Sequence, residues 1–283
     1  MGRGARALGG RGRPPRSGTS DLAARILYAL PAIAFAVFIV YEGGVVFAAG
    51  ALVLGLVCLH ELFAMYARVR PVRLAAFLAL IGLACAASFG GERQVLIALA
   101  AFFPLLFLLG VALPAAGRGA SVTASMSLTA LGVLWIGLGI AFAILLRDLD
   151  HGGGLVLAVL LGTFIGDTAA YLGGRLVGTR KLAPTISPNK TVEGLVLGMA
   201  VAIFTVWWYG LGADWMGGQR GVLLGIGVAI AAPLGDLFES QVKRDARTKD
   251  TGSLFGAHGG ALDRLDAALF ALGVGYWVWL LVV

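Results

Sequence analysis

The sequence predicts an all-α polytopic membrane protein of about nine transmembrane helices, with its N-terminus in the cytoplasm. Three observations carry this prediction. Apolar residues make up 59% of the 283-residue chain and charged residues only 13%, with a mean hydropathy of +0.91, whereas soluble domains carry about 25% charged residues. Apolar stretches close to the ~20 residues needed to cross a hydrocarbon core recur from Arg25 to the C-terminus. With the N-terminus inside, 19 of the 22 Lys and Arg fall in inside segments, and only Arg93, Arg147 and Arg220 fall outside, as the positive-inside bias requires. A single miscounted span would spoil that asymmetry downstream, so it supports an odd count.

Residues 1–24 are rich in Arg, Gly and Pro without an apolar run. They predict a disordered basic cytoplasmic tail near anionic lipid. A cleaved signal peptide is disfavoured, because the apolar run that follows is long enough to span and lacks a clear small-residue cleavage site. The N-terminal membrane region, 25–150, holds candidate spans at 25–41, 44–63, 74–90, 94–113 and 123–146. Little more than "EGG" separates the first two, which predicts a tight helical hairpin. The region 151–283 holds spans at 154–173, 193–211, 221–238 and 265–282, with long cytoplasmic loops near 174–192 and 239–264. Cys58 and Cys85 sit in apolar segments and read as small buried hydrophobes, not as a disulfide or zinc set. Trp207, Trp208, Trp277 and Trp279 fall near span ends as interfacial anchors. The spacings Gly194 to Gly198 and Gly221 to Gly225 offer close helix packing and a candidate homodimer face. "DLDHGGG", from Asp148 to Gly154, reads as a turn on the outer side.

Charge is concentrated near the C-terminus. Eleven charged side chains lie between Asp236 and Asp266, in a chain with 22 Lys and Arg and 15 Asp and Glu in all. Asp236, Glu239 and Ser240, at spacings of three and four, share a face at the cytoplasmic end of the eighth span. Lys243 and Arg244 follow within two turns. Asp263 and Asp266, with Arg264 between them, share a face at the start of the ninth. Hard carboxylate oxygens from two helix ends suit Mg2+, which is commonly held by one or two carboxylates together with substrate phosphates. Asp236, Asp263 and Asp266 are the expected ligands. Neighbouring cations suit phosphate charge, and Gly259-Gly260 permits close backbone approach.

The first loop is entered past Asp167, an ionisable group inside a span and so either functional or paired, Arg175 being one candidate partner. In "SPNK", Ser187 before Pro188 predicts a helix start, where Ser187, Asn189 and Lys190 could cradle phosphate. His60-Glu61 closes the second span as a snorkelling or paired helix end, or as a neighbour of the site. No Walker or dinucleotide-binding glycine pattern is present, and no nucleic-acid partner is expected.

The stretch "SQVKRDARTKDTGSLFGAHGGALDRLD", Ser240 to Asp266, resembles the signature of the phosphatidate cytidylyltransferase family, the CDP-diacylglycerol synthases. That pattern runs Ser, two residues, Lys-Arg, four residues, Lys-Asp, then His-Gly-Gly, two residues, Asp-Arg, one residue and Asp. Ala261 stands where the family usually has a larger aliphatic residue, and Gly256-Ala257 replaces a common Pro-Gly. "DTAAYLGGRLVGTRKLAPTISPNKTVEG" is similar to the family's second cytoplasmic motif. The resemblance implies a multi-pass enzyme of the inner membrane, its site facing the cytoplasm, that joins CTP and phosphatidic acid into CDP-diacylglycerol and pyrophosphate with Mg2+. It implies catalytic roles for Lys243, Arg244, Asp250, His258 and Arg264, His258 as a phosphate or leaving-group contact. Substrate contacts would fall to Asp167, Ser187, Lys190, Ser240, Lys249, Gly259 and Gly260. The alternatives are another nucleotide-using lipid head-group transferase or kinase, and a transporter. A transporter predicts carboxylates spread through the membrane depth, whereas here only Asp167 lies well inside a span.

Overall fold

The computed structural model describes residue 31 and residues 33–112, 121–252 and 259–283. The basic tail, the first part of the first expected span and His258 lie outside the described residues. The chain divides into Met1–Val37 and Phe38–Val283. In the first unit, residues 33–37 are helical.

Nine helices occur among the described residues: α1 Ile33–Glu42, α2 Gly44–Met65, α3 Arg73–Phe89, α4 Glu92–Ala112, α5 Val122–Asp148, α6 Gly152–Val177, α7 Val192–Leu211, α8 Gly217–Asp245 and α9 Leu262–Val282. Each coincides with an expected span. Seven are long and apolar enough to cross a membrane, whereas α1 and the 17-residue α3 are shorter. At 1.5 Å per residue α3 extends about 25 Å, just under a ~30 Å hydrocarbon core. The chain is therefore a nearly all-α, multi-pass membrane protein. The one sheet among the described residues is an antiparallel hairpin of β1 Lys181–Ala183 and β2 Ser187–Thr191.

Two expectations change at this level. Cys58 is buried, but Cys85 is exposed on α3. Trp279 is buried against Trp215 rather than standing as an interfacial anchor, while Trp208 and Trp277 are exposed. The turn expected at Asp148 to Gly154 is confined to Leu149–His151, because α6 already begins at Gly152, and His151 at φ 57° stacks on Trp215. The "EGG" hairpin turns at Gly43, φ 69°, where any Cβ would meet the Arg147 guanidinium. Arg147 Nε donates 2.9 Å to the Val40 carbonyl at the same turn.

The glycine spacings are spent inside the chain. A Cβ on Gly198 would lie 2.6 Å from Ala170 Cβ and 2.8 Å from the Gly166 carbonyl of α6, while one on Gly225 would lie 3.0 Å from Ile203 Cα of α7. Small residues thus let the α6, α7 and α8 backbones approach closely, and the expected dimer face is an intramolecular one. Gly198→Val is expected to destabilise the chain by about 1–3 kcal/mol through overpacking, read as a lower unfolding temperature in detergent. An unchanged temperature would refute the packing role.

Candidate active site

The α8 and α9 ends meet as the sequence predicted, with one exchange of partners. Asp236 and Glu239, one turn apart on α8, join Asp266 of α9. One carboxylate oxygen from each lies within 4.8 Å of the others. Glu239 and Asp266 are 1% and 7% exposed, and Glu239 Oε1 is buried without a hydrogen-bond partner among the described residues. An orphaned buried carboxylate oxygen is costly, and three acids so close repel unless a cation joins them. The donor set, all hard oxygens, fits Mg2+.

Asp263, expected as a metal ligand, is held by protein donors instead. Its Oδ2 accepts the Gly260 N–H at 2.7 Å, the Thr251 N–H at 3.0 Å and the Thr251 hydroxyl at 2.9 Å, and its Oδ1 accepts from Lys243 Nζ at 2.9 Å. From the first turn of α9 its carboxylate reaches back to the Gly260 N–H just ahead of the helix and across to Thr251 of the preceding loop. Glu239 is the residue that stands with Asp236 and Asp266. Lys243, expected on substrate phosphate, is ion-paired with both Glu239 and Asp263.

Beside the acids opens a cavity of about 660 Å³ between α6, α7, α8 and the hairpin, within the range of small-molecule sites. Asp167, Arg175, Ser187, Asn189, Lys190 and Asp236 line its polar part, and Gly162, Ala202 and Ala229 lie deeper. Lys190 forms an ion pair with Asp236, tying the hairpin to α8. Ser187, however, starts β2 rather than a helix. The helix begins at Val192, capped by the Thr191 hydroxyl, which accepts from the Gly194 N–H at 3.2 Å. Glu193 accepts the N–H groups of Thr179 and Arg180 and the Thr179 hydroxyl, tying the entering chain to α7. The "SPNK" phosphate cradle is therefore a strand edge facing a cavity, not a helix N-terminus.

Arg244 Nε donates 3.0 Å to the Ile186 carbonyl, bracing α8 against the hairpin turn. Tyr66, just past α2, donates 2.9 Å to the Val242 carbonyl and 2.8 Å to Asp245 Oδ2. Burial first, and then the Asp245 carboxylate, push the Tyr66 hydroxyl above its ordinary pKa, so it stays a donor. Glu61, 6% exposed, accepts the Ala261 N–H at 3.0 Å and the Leu262 N–H at 2.9 Å. Gly259 has φ 81°, and a Cβ on Gly260 would fall on the Glu61 carboxylate. The glycine pair expected to approach phosphate thus also accommodates protein carboxylates. Ser240 is half-buried, and Lys249, Asp250 and Arg264 are exposed. Thr251 and the Glu61 contacts escaped the sequence; the only signal was an ionisable residue ending an apolar span.

A model described as the cytidylyltransferase family matches residues 23–282. The chain belongs to the cytidylyltransferase family. This family member is 36% identical over 157 residues to a phosphatidate cytidylyltransferase of Mycobacterium bovis, an alignment covering 54% of this chain and 50% of that protein. It is 40% identical over 139 residues to one of Mycobacterium leprae, covering 48% and 43%. It is 38% identical over 126 residues to one of Helicobacter pylori, covering 44% and 47%. The chain spans about half the length of the curated relatives it matches.

Proposed function

We propose that this chain transfers a cytidylyl group from CTP to phosphatidic acid, forming CDP-diacylglycerol and pyrophosphate at the cytoplasmic face of the inner membrane. One observation supports this most. In a cytidylyltransferase-family chain whose relatives are named phosphatidate cytidylyltransferases, Asp236 belongs both to a buried acidic cluster and to the wall of a cavity at the ends of membrane helices.

In this reaction a lipid phosphate oxygen bonds to the α-phosphorus of CTP while the bond from that phosphorus to the departing pyrophosphate oxygen breaks. The nucleophile is anionic at neutral pH and needs no strong base, so the protein's work is positioning and charge neutralisation. Asp236, Glu239 and Asp266 would hold Mg2+, which when bound neutralises phosphate oxygens. Lys190 and Arg175, in the cavity wall, supply cations for substrate phosphate, and Ser187 and Asn189 supply hydrogen bonds. Lys243 keeps the buried acids neutralised and Asp263 organises the loop that closes on α9. The reading needs the bilayer as the source of its lipid.

Purified full chain in lipid nanodiscs should form CDP-diacylglycerol from CTP and phosphatidic acid, and should not phosphorylate diacylglycerol with ATP. Lipid phosphorylation without CDP-diacylglycerol would replace this reading by a lipid kinase. In sealed cells, with the two native cysteines replaced, a single cysteine at the exposed Thr179 should resist external labelling, whereas one at Val283 should react. The opposite pattern overturns the orientation.

A further inference from the structure

We infer that Glu61 is a positioning residue for the acidic cluster: from α2 it caps the start of α9 and so sets where Asp263 and Asp266 stand. The inference rests on Asp236, Glu239 and Asp266 being the metal-holding set.

A helix leaves its first N–H groups without partners, and a side chain just before the helix commonly accepts them. Here that position is Ala261, which has no acceptor and makes no side-chain cap. Ala261 and Leu262 are both buried, at 1% and 0% exposure, so water does not serve their N–H groups. Glu61, 200 residues earlier than Ala261, fills the gap with both oxygens, Oε1 on the Ala261 N–H and Oε2 on the Leu262 N–H. A carboxylate at this point also complements the helix dipole.

Two-point capping fixes more than stability. Two neighbouring N–H groups held by the two oxygens of one planar group define both the height and the rotation of the first turn of α9 relative to α2. Asp263 lies within that turn, and Asp266 lies one turn beyond Leu262. The Thr251 hydroxyl stands 2.9 Å from Asp263 Oδ2 and 3.3 Å from Glu61 Oε2. It has one proton, which goes to the nearer Asp263, and its position keeps the two carboxylates in register. A Cβ on Gly252 would come within 2.6 Å of Glu61 Oε1, and one on Gly260 would overlap the same carboxylate. Gly252 and Gly260 thus leave the room that the Glu61 carboxylate fills.

The test uses the full chain in nanodiscs without substrate, with Mn2+ as the probe, its binding followed by electron paramagnetic resonance and the exchange of residues 259–266 by deuterium uptake. Asp236→Asn serves as the control for the cluster. Glu61→Ala is expected to weaken Mn2+ binding about 10- to 100-fold, the range typical for residues that orient ligands, and to speed exchange in 259–266. Glu61→Gln keeps the shape but offers one acceptor for two N–H groups, and should fall between. A merely structural Glu61 would lower the unfolding temperature and leave Mn2+ affinity unmoved. That result, with Asp236→Asn still losing Mn2+, overturns the inference and leaves the cluster assignment standing. Wild-type Mn2+ affinity in Asp236→Asn overturns the cluster assignment itself. Should Glu61→Ala fail to fold, wild-type affinity and exchange in Glu61→Gln refute the positioning role.

Discussion

Asp266→Asn is expected to lower turnover at saturating CTP and phosphatidic acid by at least about 100-fold, and to raise the Mg2+ concentration needed for the activity that remains. Replacing residues that merely orient metal ligands typically costs 10- to 100-fold, so a ligand should cost at least the upper end. The substitution is nearly isosteric and removes one of three neighbouring acids, two of them buried. In the absence of metal those acids repel, so the unfolding temperature measured in chelator should hold or rise. Asp263→Asn should behave oppositely. It weakens acceptors for Lys243, Thr251 and Gly260, so the unfolding temperature in chelator should fall, with activity lost through the disordered loop. Turnover and Mg2+ dependence are measured beside thermal unfolding for both variants. Wild-type turnover with an unchanged Mg2+ requirement in Asp266→Asn would remove Asp266 from the ligand set.

The contrast between these two aspartates marks where sequence reasoning stopped. The seven helices long and apolar enough to cross were legible, because hydrophobic length is a property of contiguous residues, and so was the α8 face that pairs Asp236 with Glu239. Asp263 and Asp266 are equally plausible by spacing. Position within the helix separates them: from the first turn the Asp263 carboxylate can reach the Gly260 N–H just ahead of α9, whereas Asp266 stands one turn further on. The donors that claim Asp263 come from Thr251 and Lys243, whose approach depends on α8 and α9 packing together. The first loop failed for a related reason. Pro188 suits the first turn of a helix, but it equally suits a strand that need not donate, and the pairing of β2 with β1 decided between them. Glu61 was visible as an ionisable group in apolar sequence, but the N–H groups it serves lie about 200 residues away.

Lys243→Met is expected to cost about 3–5 kcal/mol of stability, the amount typical when one member of a buried ion pair is removed and its partners are left charged. This differs from what a lysine waiting for substrate would do. The Lys243 side chain is 16% exposed and pairs with Glu239, whose side chain is 1% exposed, and with Asp263. Without the ammonium, Glu239 has no counter-charge from its own helix turn, and Asp263 loses one of its four donors. Adding Glu239→Gln to Lys243→Met removes the stranded charge, so the double variant should recover most of the stability. It should not recover turnover, because the acidic set is then short of one member. Thermal unfolding of both single variants and the double variant in nanodiscs, beside CTP titrations of activity, separates the roles. If Lys243→Met unfolds at the wild-type temperature and shows only a raised KM for CTP, Lys243 is a phosphate ligand as its sequence position first suggested. If instead the single variant is unstable and the double variant is stable but inactive, the lysine belongs to the scaffold that lets three acids stand together at a membrane surface. Lys190 and Arg175 in the cavity wall are then cations placed to meet substrate phosphate.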